Sequence, residues 1–481
     1  MASKKNTFYW YDYETFGLNP MTDRLAQFAG VRTDEDFNII GEPLVMYCKP
    51  ANDFLPQPQS ALITGITPQK VLSEGLPESE FITRINAEFS KPNTCVLGYN
   101  SLRFDDEFTR YSLYRNLHDP YAREWRNGCS RWDLVDVVRM TRGLRPDGIE
   151  WPSYEDGRPS IRLEDLSKAN DIEHASAHDA LSDVYATIAM GKLIKDKQPK
   201  LFDYAYKNKK KHKVLEQLNV ASPKPVLHIS GMYPTEQGNM AVVVPIAVHP
   251  INKNGIIVFD LSHDPESLYQ LNADQIHHRL FTSVAELEKE GVDRVPLKTV
   301  LVNKSPIIAP LGTLNADASR RYKIDLMKCK TNFDFIRMQP PLVKKMHKVF
   351  SKTEFTKHTN PDYMLYSGPF FSEDDRAAMA EIHRLTPQEL SRHQPTFGDA
   401  RLVEMYFRYR ARNWPESLSA SELDRWNQYR RAQLMEPDNG QLNIDEFLSE
   451  IEEQRNAPER TASDLTVLDE LESYGRQLVG N

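Results

Sequence analysis

The chain of 481 residues has little cysteine: four, at positions 48, 95, 129 and 329, with no Cys-x-x-Cys pair among them. That scarcity argues against a disulfide framework and a cysteine-based zinc site, and it suits a reducing compartment. Long apolar runs are missing too. No stretch approaches the ~20 residues needed to span a bilayer, and the opening Met1-Ala2-Ser3-Lys4-Lys5-Asn6 lacks the apolar segment of a secretion signal. A cytoplasmic protein without membrane contact is expected. An excess of positive charge is also absent, the formal net charge being −8. Residues 441–481 hold ten acidic side chains against three arginines, which leaves about −1 for the rest of the chain. Bulk charge therefore neither announces nor excludes a nucleic-acid partner. A chain this long exceeds one ordinary core and should divide into two or three domains.

What the sequence does contain is a set of acids spread over its first 190 residues. Phe8-Tyr9-Trp10-Tyr11-Asp12-Tyr13-Glu14-Thr15-Phe16-Gly17 is aromatic enough to predict a strand, on which Asp12 and Glu14 point to the same face. Two carboxylates on one face repel unless a positive charge lies between them. Hard cations such as Mg²⁺ or Mn²⁺ take oxygen ligands and answer that need; a solvated strand end is the plainer alternative. Val96-Leu97-Gly98-Tyr99-Asn100 reads as a buried strand running into a turn, and Ser101-Leu102-Arg103-Phe104-Asp105-Asp106-Glu107-Phe108 opens a helix. The apolar residues 181, 184, 185 and 188 have helical spacing. Residues five apart on a helix lie roughly 140° apart. His178 and Asp183 can therefore share a site only if His178 precedes the helix or sits in its first turn.

Taken together, Asp12-x-Glu14, Asn100-x4-Asp105 with Phe104 before the acid, and His178-x4-Asp183 resemble the DEDDh class of 3′→5′ exonucleases. The tyrosine subclass would need Tyr where Asp179 stands. The resemblance narrows to the bacterial exonuclease I family through Ile63-Thr64-Gly65-Ile66-Thr67-Pro68, Ser130-Arg131-Trp132-Asp133-Leu134, Arg162-Leu163-Glu164-Asp165-Leu166, Ser367-Gly368-Pro369-Phe370-Phe371-Ser372 and Phe407-Arg408-Tyr409-Arg410-Ala411-Arg412-Asn413. It runs from about residue 7 to about residue 435; the final forty residues are the least similar.

The resemblance implies an α/β ribonuclease H-like exonuclease domain over 1–198, an SH3-like β domain over 199–352, and a helical C-terminal domain with an acidic tail over 355–481. It implies hydrolysis of single-stranded DNA from the 3′ end to 5′-mononucleotides, with processive action in DNA repair and recombination. Two Mg²⁺ ions, with Mn²⁺ as a substitute, would be held by Asp12, Glu14, Asp105 and Asp183. The family pattern selects Asp105 over its neighbour Asp106 as the acid directly after Phe104. His178 would take the proton from the attacking water, its unperturbed pKa lying near neutrality. Glu14, Thr15, Phe16, Gly65, Ile66 and Arg162 would contact the substrate, Arg162 through a phosphate. The single-stranded DNA-binding protein, through its acidic C-terminal peptide, is the implied partner of a monomeric enzyme.

Two other readings share parts of this pattern: an oligoribonuclease-like exoribonuclease with the same five residues, and a non-catalytic nucleic-acid-binding protein with a decayed site. The long second and third regions count against the first, and five intact positions against the second.

Strands are expected near 8–12, 26–32, 44–48 and 95–99, and helices near 78–89, 104–117, 161–170 and 179–195. The middle region should be β, with strands at 226–229, 241–248, 255–260 and 297–302, and the last helical, near 373–385, 398–412 and 419–434. The five lysines in 207–213 form either a solvated helix surface or a DNA-contacting stripe. Arg401, Arg408, Arg410 and Arg412, interleaved with Tyr406, Phe407, Tyr409 and Trp414, combine guanidinium with rings as single-strand binders do, although half of the rings are expected in the core. Some of these arginines are expected to reach DNA or a protein partner. The acidic tail is either a helix packed on the body or a loosely ordered end.

Overall fold

The computed structural model describes residues 6–174, 179–352, 358–437 and 440–480. They form two compact units, each discontinuous in sequence. The first comprises residues up to Arg131, His174–Ile188 and the chain from Thr356 onward; the second comprises Trp132–Glu173 and Ala189–Phe355.

A five-stranded mixed sheet has the order β3-β2-β1-β4-β5, with β1 Thr7–Thr15, β2 Leu25–Thr33, β3 Leu44–Tyr47, β4 Thr94–Gly98 and β5 Ser130–Asp133. β1 pairs antiparallel with β2 and parallel with β4. Alternation along β1 decides which side chains meet the core. Tyr9, Tyr11 and Tyr13 pack into a cluster with Phe28, Phe81, Ile85, Phe89, Val96 and Phe108. That burial is worth roughly 1.5–3 kcal/mol per large side chain. The opposite alternation sends Asp12 and Glu14 to the other face.

The parallel ladder with β4 runs only from Thr7↔Thr94 to Trp10↔Leu97, so the two acids lie beyond its end. A Cβ on Gly98, where β4 stops, would come within 2.6 Å of the Tyr11 carbonyl oxygen. Only glycine lets the chain turn away this close to β1. Asn100 follows with φ +62°, and the helix Asp105–Arg115 then begins.

In the first unit the acidic tail is structured. Helices Ile444–Arg455 and Ala462–Gly480 bury Phe447, Ile451, Leu468 and Leu471 against Leu55, Ala61 and Leu434. A packed helical end, not a loose one, is the outcome. The helix Ala400–Asn413 buries Tyr406, Phe407 and Tyr409, and its arginines face inward as well. Arg412 bridges Asp53 at 2.8 Å and Asp362 at 2.6 Å, and Arg408 reaches Asp362 at 2.9 Å and Asn360 at 2.7 Å. Arg401 pairs with Asp399 at 2.6 Å, and Arg410 pairs with Glu422. The expectation that some of these four arginines reach DNA or a partner is thus corrected: their charge is spent on internal carboxylates, which holds Asp362 well below the usual carboxylate range.

The second unit contains an antiparallel sheet of order β10-β6-β7-β8-β9, with β6 Val226–Ile229, β7 Met240–Val248, β8 Gly255–Asp260, β9 Leu297–Leu301 and β10 Ile307–Pro310. Val243, Val258, Val300 and Ile308 belong to its core. The lysine-rich segment splits between helices Pro199–Asn208 and Lys211–Gln217. Lys209 is buried over the Tyr206 ring, and Lys207 and Lys213 pair with Asp203 and Glu216. Among the described residues no helix is long and apolar enough to cross a membrane.

Candidate active site

Three carboxylates converge in the first unit. Asp12 and Glu14 come from the C-terminal half of β1, and Asp183 from the first turn of the helix Ala180–Lys197. Ligand-capable oxygens of the three all lie within 4.8 Å of one another. Asp105, the first residue of its helix and only 4% exposed, adds its charge to theirs. Burial, then the charges of Asp105, Glu14 and Asp183, push the Asp12 carboxyl well above its ordinary value. Burial, followed by Asp183, Asp105 and Asp179, lifts Glu14 to about 8. Four acids have been gathered where each makes the others harder to ionise. Asp105 and Asp183 both lie in helix first turns, where exposed N–H groups and the helix dipole favour negative charge.

The donor set is all carboxylate and tightly clustered, as suits a hard divalent cation with oxygen ligands. No such ion is needed for the neighbouring acids. Asp106 is buried and gripped by Arg123 and Arg131, and Asp179 accepts from the Ser182 N–H at 3.1 Å at the head of its helix.

His178 lies outside the described residues. The structure instead brings His174 to the cluster, with its Nε2 hydrogen-bonded to Asp183 Oδ1. No histidine other than His178 stood out in the sequence. A contact nine residues apart, spanning the start of a helix, leaves no spacing signal. Thr15 is buried and donates to the Gly17 carbonyl at 2.7 Å. Phe16 is fully buried with Phe54, Ile66 and Val71, and both its backbone groups are hydrogen-bonded, to Arg24 and Gln57. Gly65 takes φ +66° at the end of the helix Pro58–Thr64, with open space where a Cβ would be; Ile66 is buried behind it. Arg162 belongs to the second unit, where it precedes the helix Leu163–Ala169 and pairs with Glu164 at 2.9 Å.

Three family profiles cover the chain: Exonuclease over residues 9–190, Exonuclease I SH3-like domain over 209–352, and Exonuclease I C-terminal domain over 359–478. The exodeoxyribonuclease I of Haemophilus influenzae is 45% identical over 478 residues, covering 99% of this chain and 100% of that protein. The chain belongs to the exodeoxyribonuclease I family. Among solved structures, a moderately thermophilic exonuclease I from Methylocaldum szegediense superposes with TM-score 0.94 at 49% identity, covering 98% of this chain and 100% of the other. The zinc-bound form of an Escherichia coli exonuclease I complex with single-stranded DNA gives TM-score 0.93 at 43% identity, covering 99% and 100%. Like other exodeoxyribonucleases I, this chain is a nuclease, built as an exonuclease domain, an SH3-like domain and a C-terminal domain.

Proposed function

We propose that this nuclease is a divalent-metal-dependent 3′→5′ exonuclease that degrades single-stranded DNA processively to 5′-mononucleotides. The observation that carries the reading is the meeting of Asp12, Glu14 and Asp183 within 4.8 Å, in a chain that aligns with exodeoxyribonuclease I end to end. Asp12, Glu14, Asp105 and Asp183 hold two Mg²⁺ ions, which Mn²⁺ can replace. When bound, the ions supply an activated water and neutralise charge at the scissile phosphate. Asp12 and Glu14, whose carboxyls stand raised in this cluster, are the groups that a bound cation would hold in the ionised form. His178 takes the proton from the attacking water. Glu14, Thr15, Gly65 and Ile66 receive the terminal nucleotide above the buried Phe16, and Arg162 holds a phosphate.

A single strand also needs a surface away from the carboxylates. In the first unit a cavity of about 160 Å³ is rimmed by Trp125 and Phe370, 64% and 80% exposed, with Arg376 in its wall. Exposed rings beside a guanidinium suit unpaired bases, whose faces stack without regard to sequence. The three regions, 1–198, 199–352 and 355–481, form the exonuclease module, the SH3-like module and the helical module of a monomer. It acts in the cytoplasm in repair and recombination, with the single-stranded DNA-binding protein engaged through its acidic C-terminal peptide.

The test is digestion of a 5′-labelled single-stranded DNA oligomer, with Mg²⁺ or with EDTA, beside matched RNA and a blunt duplex. Shortening of the DNA alone from its 3′ end, and only with metal, is the expected result. Preferential loss of RNA moves the enzyme to the exoribonuclease branch, and no metal-dependent cleavage at all leaves a binding protein.

A further inference from the structure

Asp106 has no part in the metal cluster, yet it is among the most tightly held side chains in the first unit. It follows Asp105 directly and is 1% exposed. Each of its carboxylate oxygens is engaged by a different buried guanidinium, Oδ1 by Arg123 Nη2 and Oδ2 by Arg131 Nη1. A carboxylate gripped on both oxygens from two directions has no rotational freedom, so the helix is pinned at the residue beside Asp105.

That pin matters because the approach to the helix is irregular. Asn100 has positive φ, and Phe104 sits at φ −121°, ψ −78°. The Asp106 N–H donates to the Ser101 carbonyl at 2.9 Å. A turn of this kind does not by itself fix a carboxylate to within the roughly 0.5 Å that a metal ligand requires.

The clamp continues outward. Arg131 Nε meets Glu124 at 3.1 Å, and Arg110 holds both Glu124 oxygens, at 2.7 and 3.0 Å. Arg110 also donates to Glu107 at 3.1 Å and to the Tyr366 hydroxyl at 2.9 Å, and that hydroxyl donates back to Glu107. Glu107 and Arg110 stand on the same helix as Asp105. Tyr366 comes from the C-terminal domain.

We propose that Asp106, clamped by Arg123 and Arg131, is a positioning residue that sets where the Asp105 carboxylate stands in the metal cluster, and that Tyr366 ties the C-terminal domain into this clamp. The inference rests on the metal-binding reading of Asp105 given above. Its alternative is a buried ion cluster that serves stability alone.

Arg131→Lys keeps the charge but loses the planar fork, and Tyr366→Phe removes one hydroxyl from a ring that is 55% exposed, a change too small to prevent folding. Both full-length variants are titrated with Mn²⁺ by calorimetry without DNA, and kcat and KM are measured on labelled single-stranded DNA. Arg131→Lys is expected to weaken one Mn²⁺ site by about tenfold or more while sparing the other. Its kcat should fall, with KM held within about twofold, and high Mn²⁺ should restore part of the loss. Tyr366→Phe should shift both readouts in the same direction by a smaller factor. Mn²⁺ isotherms identical to wild type in both variants, whatever happens to melting temperature, overturn the proposal. Asp12→Asn is the control. If it too binds Mn²⁺ normally, the metal reading itself falls and takes the clamp with it; if it loses Mn²⁺ while the clamp variants do not, only the clamp falls.

Discussion

The imidazoles of His118 and His383 lie face to face, their centroids 3.8 Å apart and their planes 10° from parallel. Thr83 donates its hydroxyl hydrogen to the Ser79 carbonyl, so its oxygen accepts from His118 Nε2 at 2.8 Å. His383 Nε2 donates to the Leu117 carbonyl at 3.1 Å. Each ring thus carries a proton on Nε2. Burial, then His383, holds the His118 pKa well below its ordinary value, and burial lowers that of His383. The unfolded chain therefore takes up protons first as pH falls through about 6.5, and the native state loses up to about 1.4 kcal/mol per pH unit for each extra proton bound by the unfolded state. Thermal melts between pH 7.5 and 5 should show this loss, and His383→Phe, which keeps a ring against His118, should flatten it. An unchanged slope in the variant would refute the pairing's role.

The acidic cluster should make the metal-free enzyme less stable as pH rises. Glu14, at about 8 when folded, ionises more readily in the unfolded chain. The penalty begins near its ordinary value of 4.5 and is complete above about 8. Asp183→Asn removes one repelling charge from both Asp12 and Glu14 while leaving an oxygen for His174. In EDTA at pH 8 it should melt higher than wild type by about 2 °C. Cleavage should fall by roughly 10³-fold or more, with binding of single-stranded DNA retained. Near-normal turnover would remove Asp183 from the site.

Arg412 fastens the C-terminal region to the loop bearing Asp53. Its loss strands the buried Asp53 carboxylate and leaves buried Asp362 with the Arg408 guanidinium. Arg412→Ala should cost about 3–5 kcal/mol in urea unfolding. The salt dependence of DNA binding should not change, because the guanidinium is 3% exposed and neutralises no phosphate. A shallower salt slope would return Arg412 to the DNA surface.

Trp125 and Phe370 make the opposite case, since both are exposed. Trp125→Ala and Phe370→Ala should leave melting temperature unaltered, while each weakens anisotropy-measured binding of a single strand by about 1–3 kcal/mol. KM should rise with kcat little changed. Wild-type affinity in both variants would show that the strand runs elsewhere.

Much of the fold was legible in the sequence. The alternating aromatics around Asp12 and Glu14 predict a strand with both acids on one face, and β1 has that form. The helices that were expected fall within a few residues of their ranges, whereas Leu134–Leu144 and Leu326–Met338 were not foreseen. Two short strands, β5 and β10, were not foreseen, although β3 and β6, equally short, were. Side-chain partnership was the least legible feature. Nothing in the order Arg408-Tyr409-Arg410-Ala411-Arg412 distinguishes a guanidinium reaching for phosphate from one turned in toward Asp362.

By itself the sequence determined the chemistry available: an Asp-x-Glu pair on a strand, two further acids at helix starts, and a chain divided among α/β, β and helical regions. Local periodicity and residue type govern these features, and both are written in the order of residues. Only the tertiary structure decided that Asp183 meets Asp12 and Glu14, that His174 joins Asp183, and that Asp106 turns to Arg123 and Arg131 while Asp105 starts the helix beside the cluster. Those outcomes depend on which buried charges find partners across long stretches of chain. Burial makes an unpaired charge costly, and only the folded chain brings the partner within reach.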